Sequence, residues 1–235
     1  MTGARTRRWA RRILLGVAVL AALAVLASWA FVKFQPTSAA PALPTASASS
    51  PAAPAAQAAQ AAPVDGTWAV SAGSIAGFRV RETIFGMSND VVGRTSAVSG
   101  ALVVSAGRVT SATFRVDLTA ITVNGKTQPQ FAQSLDTRRF PTATFTLSRP
   151  VTLGAALVTG GTVSVLAAGR LSMNGVTRPV SFTVSGRRDG AVLQVIGSIP
   201  VTFSGWGIKG PAGFGALGSL ADHGKAEFLL TLRQS

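Results

Sequence analysis

Fourteen consecutive residues restrict the fold more than any other part of this chain: Gly169-Arg170-Leu171-Ser172-Met173-Asn174-Gly175-Val176-Thr177-Arg178-Pro179-Val180-Ser181-Phe182. Apolar side chains alternate up to Asn174-Gly175 and alternate again beyond Pro179. A period of two marks a strand with one dry and one wet face. Asn-Gly supplies positive φ in a turn at low cost. The stretch therefore predicts two half-buried strands joined by a turn. The connection from Asn174 to Arg178 is long for a two-residue turn, so its geometry stays open at this level.

The same alternation recurs through most of the carboxy-terminal two-thirds. One face reads Ala76, Phe78, Val80; Val98, Gly100, Leu102, Val104; Ala112, Phe114, Val116, Leu118; and Ala143, Phe145, Leu147. It continues with Val163, Val165, Ala167, Gly169, Leu171; Val180, Phe182, Val184; Leu193, Val195, Gly197, Ile199, Val201, Phe203; and Ala226, Phe228, Leu230, Leu232. The opposite face is mainly Ser, Thr, Arg, Gln and Asp. Trp68 and Val70 add a short lead-in strand. Eight such segments suit an all-β, eight-stranded antiparallel barrel, with one or two short helices, the clearest over residues 128–135 where alternation lapses. The dry face mixes large residues with Ala76, Gly100, Ala112, Ala143, Ala167, Gly169, Gly197 and Ala226. An eight-stranded barrel can be filled by side chains or hold one small ligand. These small residues fit either space left over or a taper packed against bulky neighbours.

Charge divides the chain unevenly. Residues 1–33 carry Arg5, Arg7, Arg8, Arg11, Arg12 and Lys33 with no acid, for +6, and the remaining 16 basic and 8 acidic residues give +8, summing to +14. Residues 13–32 are an uncharged run of 20, rich in Leu, Val and Ala. As a helix they would rise roughly 30 Å, the thickness of a bilayer core. The sequence thus predicts a basic cytoplasmic segment over 1–12, a transmembrane helix over 13–32, a disordered Ala/Pro-rich linker over 33–63 and a folded domain over 64–235. The five arginines before the run hold its amino end in the cytoplasm, which puts the domain outside as a single-pass cell-membrane protein. Cleavage near Ser28-Trp29-Ala30 is the alternative and would release a secreted domain.

Little in the sequence offers chemistry. There is no cysteine, no tyrosine and a single histidine, His223, in a predicted surface loop beside Asp222. No spacing suits a metal, and the eight acids form no obvious acid–base pair, although Glu82 follows an inward-facing strand at a barrel mouth. Gly213-Phe214-Gly215-Ala216-Leu217-Gly218 matches G-x-G-x-x-G but lacks the βαβ context of a dinucleotide site. It reads instead as a mobile loop over the mouth, with Trp206, Ile208, Phe214 and Leu217 as its apolar contents. The arginines are dispersed along the wet faces with no exposed aromatic platform, which argues against nucleic acid.

Four stretches then resemble one family. Ser74-Ile75-Ala76-Gly77-Phe78-Arg79-Val80 is similar to its first strand, and Val92-Gly93-Arg94-Thr95 with Val98-Ser99-Gly100 to the next. Leu135-Asp136-Thr137-Arg138-Arg139-Phe140-Pro141-Thr142-Ala143-Thr144-Phe145 resembles its helix-to-strand stretch, and residues 169–180 its G-x-L-x-x-x-G-V-T-[RK]-P-V signature. Trp206-Gly207-Ile208 sits where the family often has an aromatic-Gly-Ile. The ordered set covers 66–233 and resembles the YceI-like family of extracytoplasmic, lipocalin-like proteins. The family often has histidines where this chain has Gly73 and Glu82.

The resemblance implies a barrel whose apolar interior holds a polyisoprenoid, such as a quinone or prenyl alcohol tail, with no catalytic residue and no cofactor. The expectation is a membrane-anchored lipid binder or carrier. Its candidate ligand-binding residues are Phe78, Val80, Phe114, Val116, Phe145, Leu171, Phe182, Val195 and Phe228 inside, with Trp206 and Phe214 near the mouth. The alternatives are a tethered structural domain with a filled core and an enzyme acting on an envelope lipid through Glu82, Asp222 or His223.

Overall fold

The computed structural model describes residues 64–157, 159–210 and 218–235. The predicted anchor and linker, and Phe214 with most of the glycine-rich segment, lie outside the described residues. No helix among the described residues is long and apolar enough to cross a membrane.

Twelve strands follow one another: β1 (Gly66–Val70), β2 (Ile75–Ile84), β3 (Met87–Thr95), β4 (Val98–Ser105), β5 (Arg108–Asp117), β6 (Thr122–Val123), β7 (Thr142–Leu147), β8 (Val151–Thr152), β9 (Thr162–Met173), β10 (Val176–Asp189), β11 (Val192–Thr202) and β12 (Gly218–Gln234). Among the described residues one α-helix, α1 (Pro129–Ser134), lies between β6 and β7, and 3-10 turns occupy Ala155–Leu157 and Phe203–Trp206. All pairings are antiparallel. β1 and β2 run on as one broken ribbon opposite β3 and β4, since β2 pairs with β3 and β1 with β4. The wall then passes through β5, β7, β9, β10, β11 and β12, and β12 returns to both β1 and β2. The result is the eight-stranded antiparallel barrel that the alternation predicts. β12 closes the wall onto β1 and β2, while the far edge of β3 is paired only at Gly93 and Arg94, with β6.

The break in the first ribbon is stapled. Ser74 is buried, its Oγ lies 2.9 Å from the Ser71 carbonyl and 3.1 Å from that of Thr231, and it accepts the Thr231 N–H at 2.9 Å. The central hairpin resolves the turn left open by the sequence. β9 ends at Met173 and β10 starts at Val176, so the turn is two residues, with Asn174 at φ 50° and Gly175 at φ 74°. Pairing resumes at once rather than beyond Pro179, which sits inside β10 opposite Arg170. Proline is tolerated there because residues 176–183 of β10 make no ladder with β11, whose pairing begins at Val184↔Gly197. Pro200 occupies the matching unpaired stretch of β11. A ring with no N–H fits only where its nitrogen faces no partner strand.

Two core clusters fill opposite ends. One gathers Trp68, Leu102, Val104, Ala112, Leu157, Leu193, Leu230 and Leu232. Trp68 and Leu232 are fully buried, the indole N–H donates to Val64 O at 2.8 Å, and the Arg188 guanidinium lies 5.6 Å from the Trp68 ring centre. Here too the β4–β5 turn is held by Asp65, which accepts the Ala106 and Gly107 N–H groups at 2.8 and 3.3 Å. The other cluster joins Ala167, Leu171, Met173, Phe182, Ile199, Val201 and Trp206.

Candidate functional site

Between the clusters lies a cavity of about 260 Å³, lined from β2, β4, β5, β7, β9, β10, β11, β12 and α1. Its lining is apolar except for Ser134, Lys225 and Glu227. An apolar cavity of about 150 Å³ stays dry and admits benzene, so this space favours hydrocarbon over water. By the same measure it takes about ten carbons.

Phe78, Val80, Phe114, Val116, Phe145, Leu171, Phe182, Val195 and Phe228 all line it. Three of these rings meet edge to face across the interior: Phe145–Phe182 at 5.4 Å and Phe182–Phe228 at 5.9 Å between centroids. The small inward residues have different roles. Ala76, Ala112, Ala143, Ala167 and Ala226 line the cavity. Gly169 and Gly197 seat rings: a Cβ at Gly169 would strike Phe145, and one at Gly197 would come 2.5 Å from Phe228, whereas a Cβ at Gly100 would strike the backbone of Thr113 and Phe114. Gly93, which the alternation does not flag, likewise seats the Phe78 ring.

Trp206 is not part of the lining. It is buried at the 3-10 turn after β11, with its carbonyl accepting Asn174 Nδ2–H at 2.9 Å and the Arg178 guanidinium 5.9 Å from its ring. Its Nε1 has no hydrogen-bond partner among the described residues. Ile208, two residues on, does reach the cavity.

The mouth is formed by residues that alternation could not single out. Ile121, Phe131 and Leu135, in the connection between β5 and β7, line the cavity together with Leu118. Phe131 and Leu135 are four apart, the spacing that places two side chains on one helical face, and this was the available signal. The Phe131 ring packs 5.2 Å from Phe78, and these side chains also border a smaller space of about 100 Å³ beneath α1. Asp117 starts this connection by accepting the Thr119 N–H at 2.8 Å and its hydroxyl at 2.6 Å. Those hydrogen bonds, the hydroxyl first, hold the Asp117 carboxyl below the usual aspartate value.

The charged groups are occupied elsewhere. Glu227 is buried, with one oxygen 3.0 Å from Arg79 Nε and the other on Arg94. Burial alone would lower the Arg79 pKa, but hydrogen bonds and attraction to Glu227 and Asp90 outweigh it and raise it. His223 is not in a loop: it stands in β12 opposite Thr202, where the register between Leu220 and Gly224 shifts. The bulge turns His223 and Asp222 to solvent, 2.8 Å apart, and the hydrogen bond from His223 holds the Asp222 carboxyl low. Glu82 pairs across to Leu220 and Asn89 beyond the cavity lining. No group of three or more His, Cys, Asp or Glu among the described residues could hold a metal ion.

Residues 68–232 match the family model for the YceI-like domain. The chain belongs to the YceI-like family. Among solved structures, the YceI-like barrel is similar to a polyisoprenoid-binding domain from Saccharophagus degradans implicated in plant cell wall breakdown, with a TM-score of 0.57 at 16% identity, covering 73% of this chain and 99% of that one. It is also similar to Burkholderia cenocepacia BcnA, with a TM-score of 0.52 at 19% identity, covering 69% of this chain and 98% of that one. At these identities the likeness is one of fold. No curated protein sequence matches the chain.

Proposed function

We propose that this YceI-like domain binds or carries a polyisoprenoid-type lipid, an isoprenoid or quinone-like chain, in its barrel. The observation that carries the reading is the continuous apolar cavity of about 260 Å³ whose lining includes nine inward residues of the alternating strands. Phe78, Val80, Phe114, Val116, Phe145, Leu171, Phe182, Val195 and Phe228 would make the contacts along the chain, while Trp206 and Phe214 would act near the mouth. The polyisoprenoid-binding relative supports the same ligand class. Burying CH₂ groups is favourable by about 0.8 kcal/mol each before the cost of ordering the chain. About ten carbons, two isoprene units, fit the space as it stands, so a longer tail would spread the wall or trail from the mouth.

Within this reading the protein is a binder rather than an enzyme. The Glu227 carboxylate is engaged by two arginines, and His223 with Asp222 lies on the outer surface. We further propose that residues 13–32 anchor the protein in the cell membrane, with the barrel outside the cytoplasm on the 33–63 linker. The mass of the mature native protein distinguishes a retained anchor from cleavage.

Extraction of the purified protein with organic solvent, followed by mass spectrometry, tests the ligand directly. Co-purified or taken-up prenyl lipid is expected. Absence of both would overturn the reading in favour of a structural barrel.

A further inference from the structure

The cavity is not the only apolar feature that sets this molecule apart. Among the described residues three large hydrophobic side chains are exposed: Phe85 at 54%, Met87 at 51% and Leu166 at 69%. Phe85 opens the two-residue turn between β2 and β3 and Met87 follows it as the first residue of β3, whereas Leu166 stands alone on β9.

That turn has a backbone its sequence does not favour. Phe85 sits at φ 51° and Gly86 at φ 77°. Of three other turns with the same pair of positive φ values, two place asparagine first, at Asn124-Gly125 and Asn174-Gly175, and the third places the small alanine, at Ala106-Gly107. Asparagine tolerates this region, while a bulky aromatic there is an outlier. The geometry alone therefore gives no reason for phenylalanine, and a strained, exposed aromatic calls for a functional explanation.

Its position supplies one. Ile84 pairs with Gly218, and Glu82 with Leu220, a cavity-lining residue, so the tip projects at the mouth end beside the entrance. The described chain enters at the opposite end, where Gly66 pairs with Val104. β1 and β2, of 5 and 10 residues, add up to roughly 50 Å of strand. Residues 33–63 could reach at most roughly 100 Å. If residues 13–32 anchor the chain as proposed, a linker of that length is long enough for the tip to meet the same surface.

We propose that the Phe85-Gly86-Met87 tip is a membrane-docking finger that inserts into the interfacial layer of a lipid bilayer and brings the cavity mouth to the membrane. The occupant is a lipid surface, not a protein groove: two adjacent apolar side chains on a narrow hairpin present an edge, which a bilayer accommodates. Contact through two side chains is weak on its own, and the tether raises the effective concentration of the tip at the surface. The inference rests on the lipid-binding reading for its purpose but not for its measurement.

Because the chain has no cysteine, single probes can be placed cleanly. Full-length protein is reconstituted into phosphatidylcholine–phosphatidylglycerol vesicles with an environment-sensitive fluorophore on Met87→Cys or, as the control, on Leu166→Cys. Quenching by lipid-borne quenchers is expected at position 87 and not at 166. No quenching at either position, equal quenching at both, or failure to associate with vesicles overturns the proposal. So does a signal that follows protein concentration without lipid, which would mean self-association.

Phe85→Asn separates docking from folding, since it installs the Asn-Gly pair used elsewhere in the barrel. Its melting temperature should hold or rise, while docking read at position 87 weakens about tenfold. Unchanged docking in this variant overturns the finger. Bound prenyl lipid, measured by mass spectrometry in the same samples, reports the lipid-binding reading separately.

Discussion

The two ends of the barrel are built from the same alternating strands and differ in almost everything else. At the end where the chain enters, Trp68, Val104, Leu157 and Leu232 leave no surface exposed above 2%, a guanidinium covers the indole, and Asp65 ties down the adjacent turn. At the mouth, side chains of α1 and its flanking connection lie over open space, the wall between β10 and β11 parts, and α1 contains no buried residue. Stability is concentrated at one end and access at the other. A barrel that must hold a guest can be rigid along part of its length only, because opening draws on elements with low local stability.

Substitutions can test this division, beginning with the largest expected effect. Trp68→Ala removes the most deeply buried ring at the closed end and is expected to cost about 3–5 kcal/mol, read as the shift of a urea unfolding transition. A loss below about 1 kcal/mol would mean that the clamp lies elsewhere. Enlarging Phe114 and Phe145 to Trp fills the cavity instead. Lipid uptake should collapse while stability changes by about 1–3 kcal/mol, and uptake that persists would break the link between cavity and guest.

Gly197→Ala is subtler. The three atoms nearest the added methyl all belong to the Phe228 ring, which borders the cavity. Uptake should shift towards shorter prenyl chains, measured by competition, with a stability cost within about 1.5 kcal/mol. The smallest effect concerns pH. Because the folded Asp117 carboxyl titrates below its ordinary value of 3.8, it adds stability above that pH that is lost as pH falls through the folded value. Asp117 is close to the surface, so the contribution is about a few tenths of a kcal/mol. Acid unfolding monitored near the mouth should flatten in Asp117→Asn, whereas a closed-end probe should not respond.

The barrel was legible because alternation survives wherever one face of a strand is dry, and the eight segments follow it closely. The Asn174-Gly175 turn was legible in kind but not in length. Pro179 reads locally as a strand breaker, and only the absence of a β11 partner makes it harmless. The His223 bulge was hidden for the same reason: register is a relation between two strands, and β12 alone does not reveal its two extra residues against β2. The inner aromatics could be named from periodicity. The part of the mouth built by Ile121, Phe131 and Leu135 could not, since a six-residue helix and its flanks carry too short a pattern. Nor could the sequence tell that Gly169 and Gly197 would be covered by rings while the inward alanines border the cavity.

The parted strands have one further consequence. Where β10 and β11 separate, each presents a run of backbone without its neighbour. Such runs invite pairing with a foreign chain and are starting points for aggregation. Pro179 and Pro200 each remove a donor from this gap. The two rings that the parted wall accommodates thus also hinder a second molecule from pairing there.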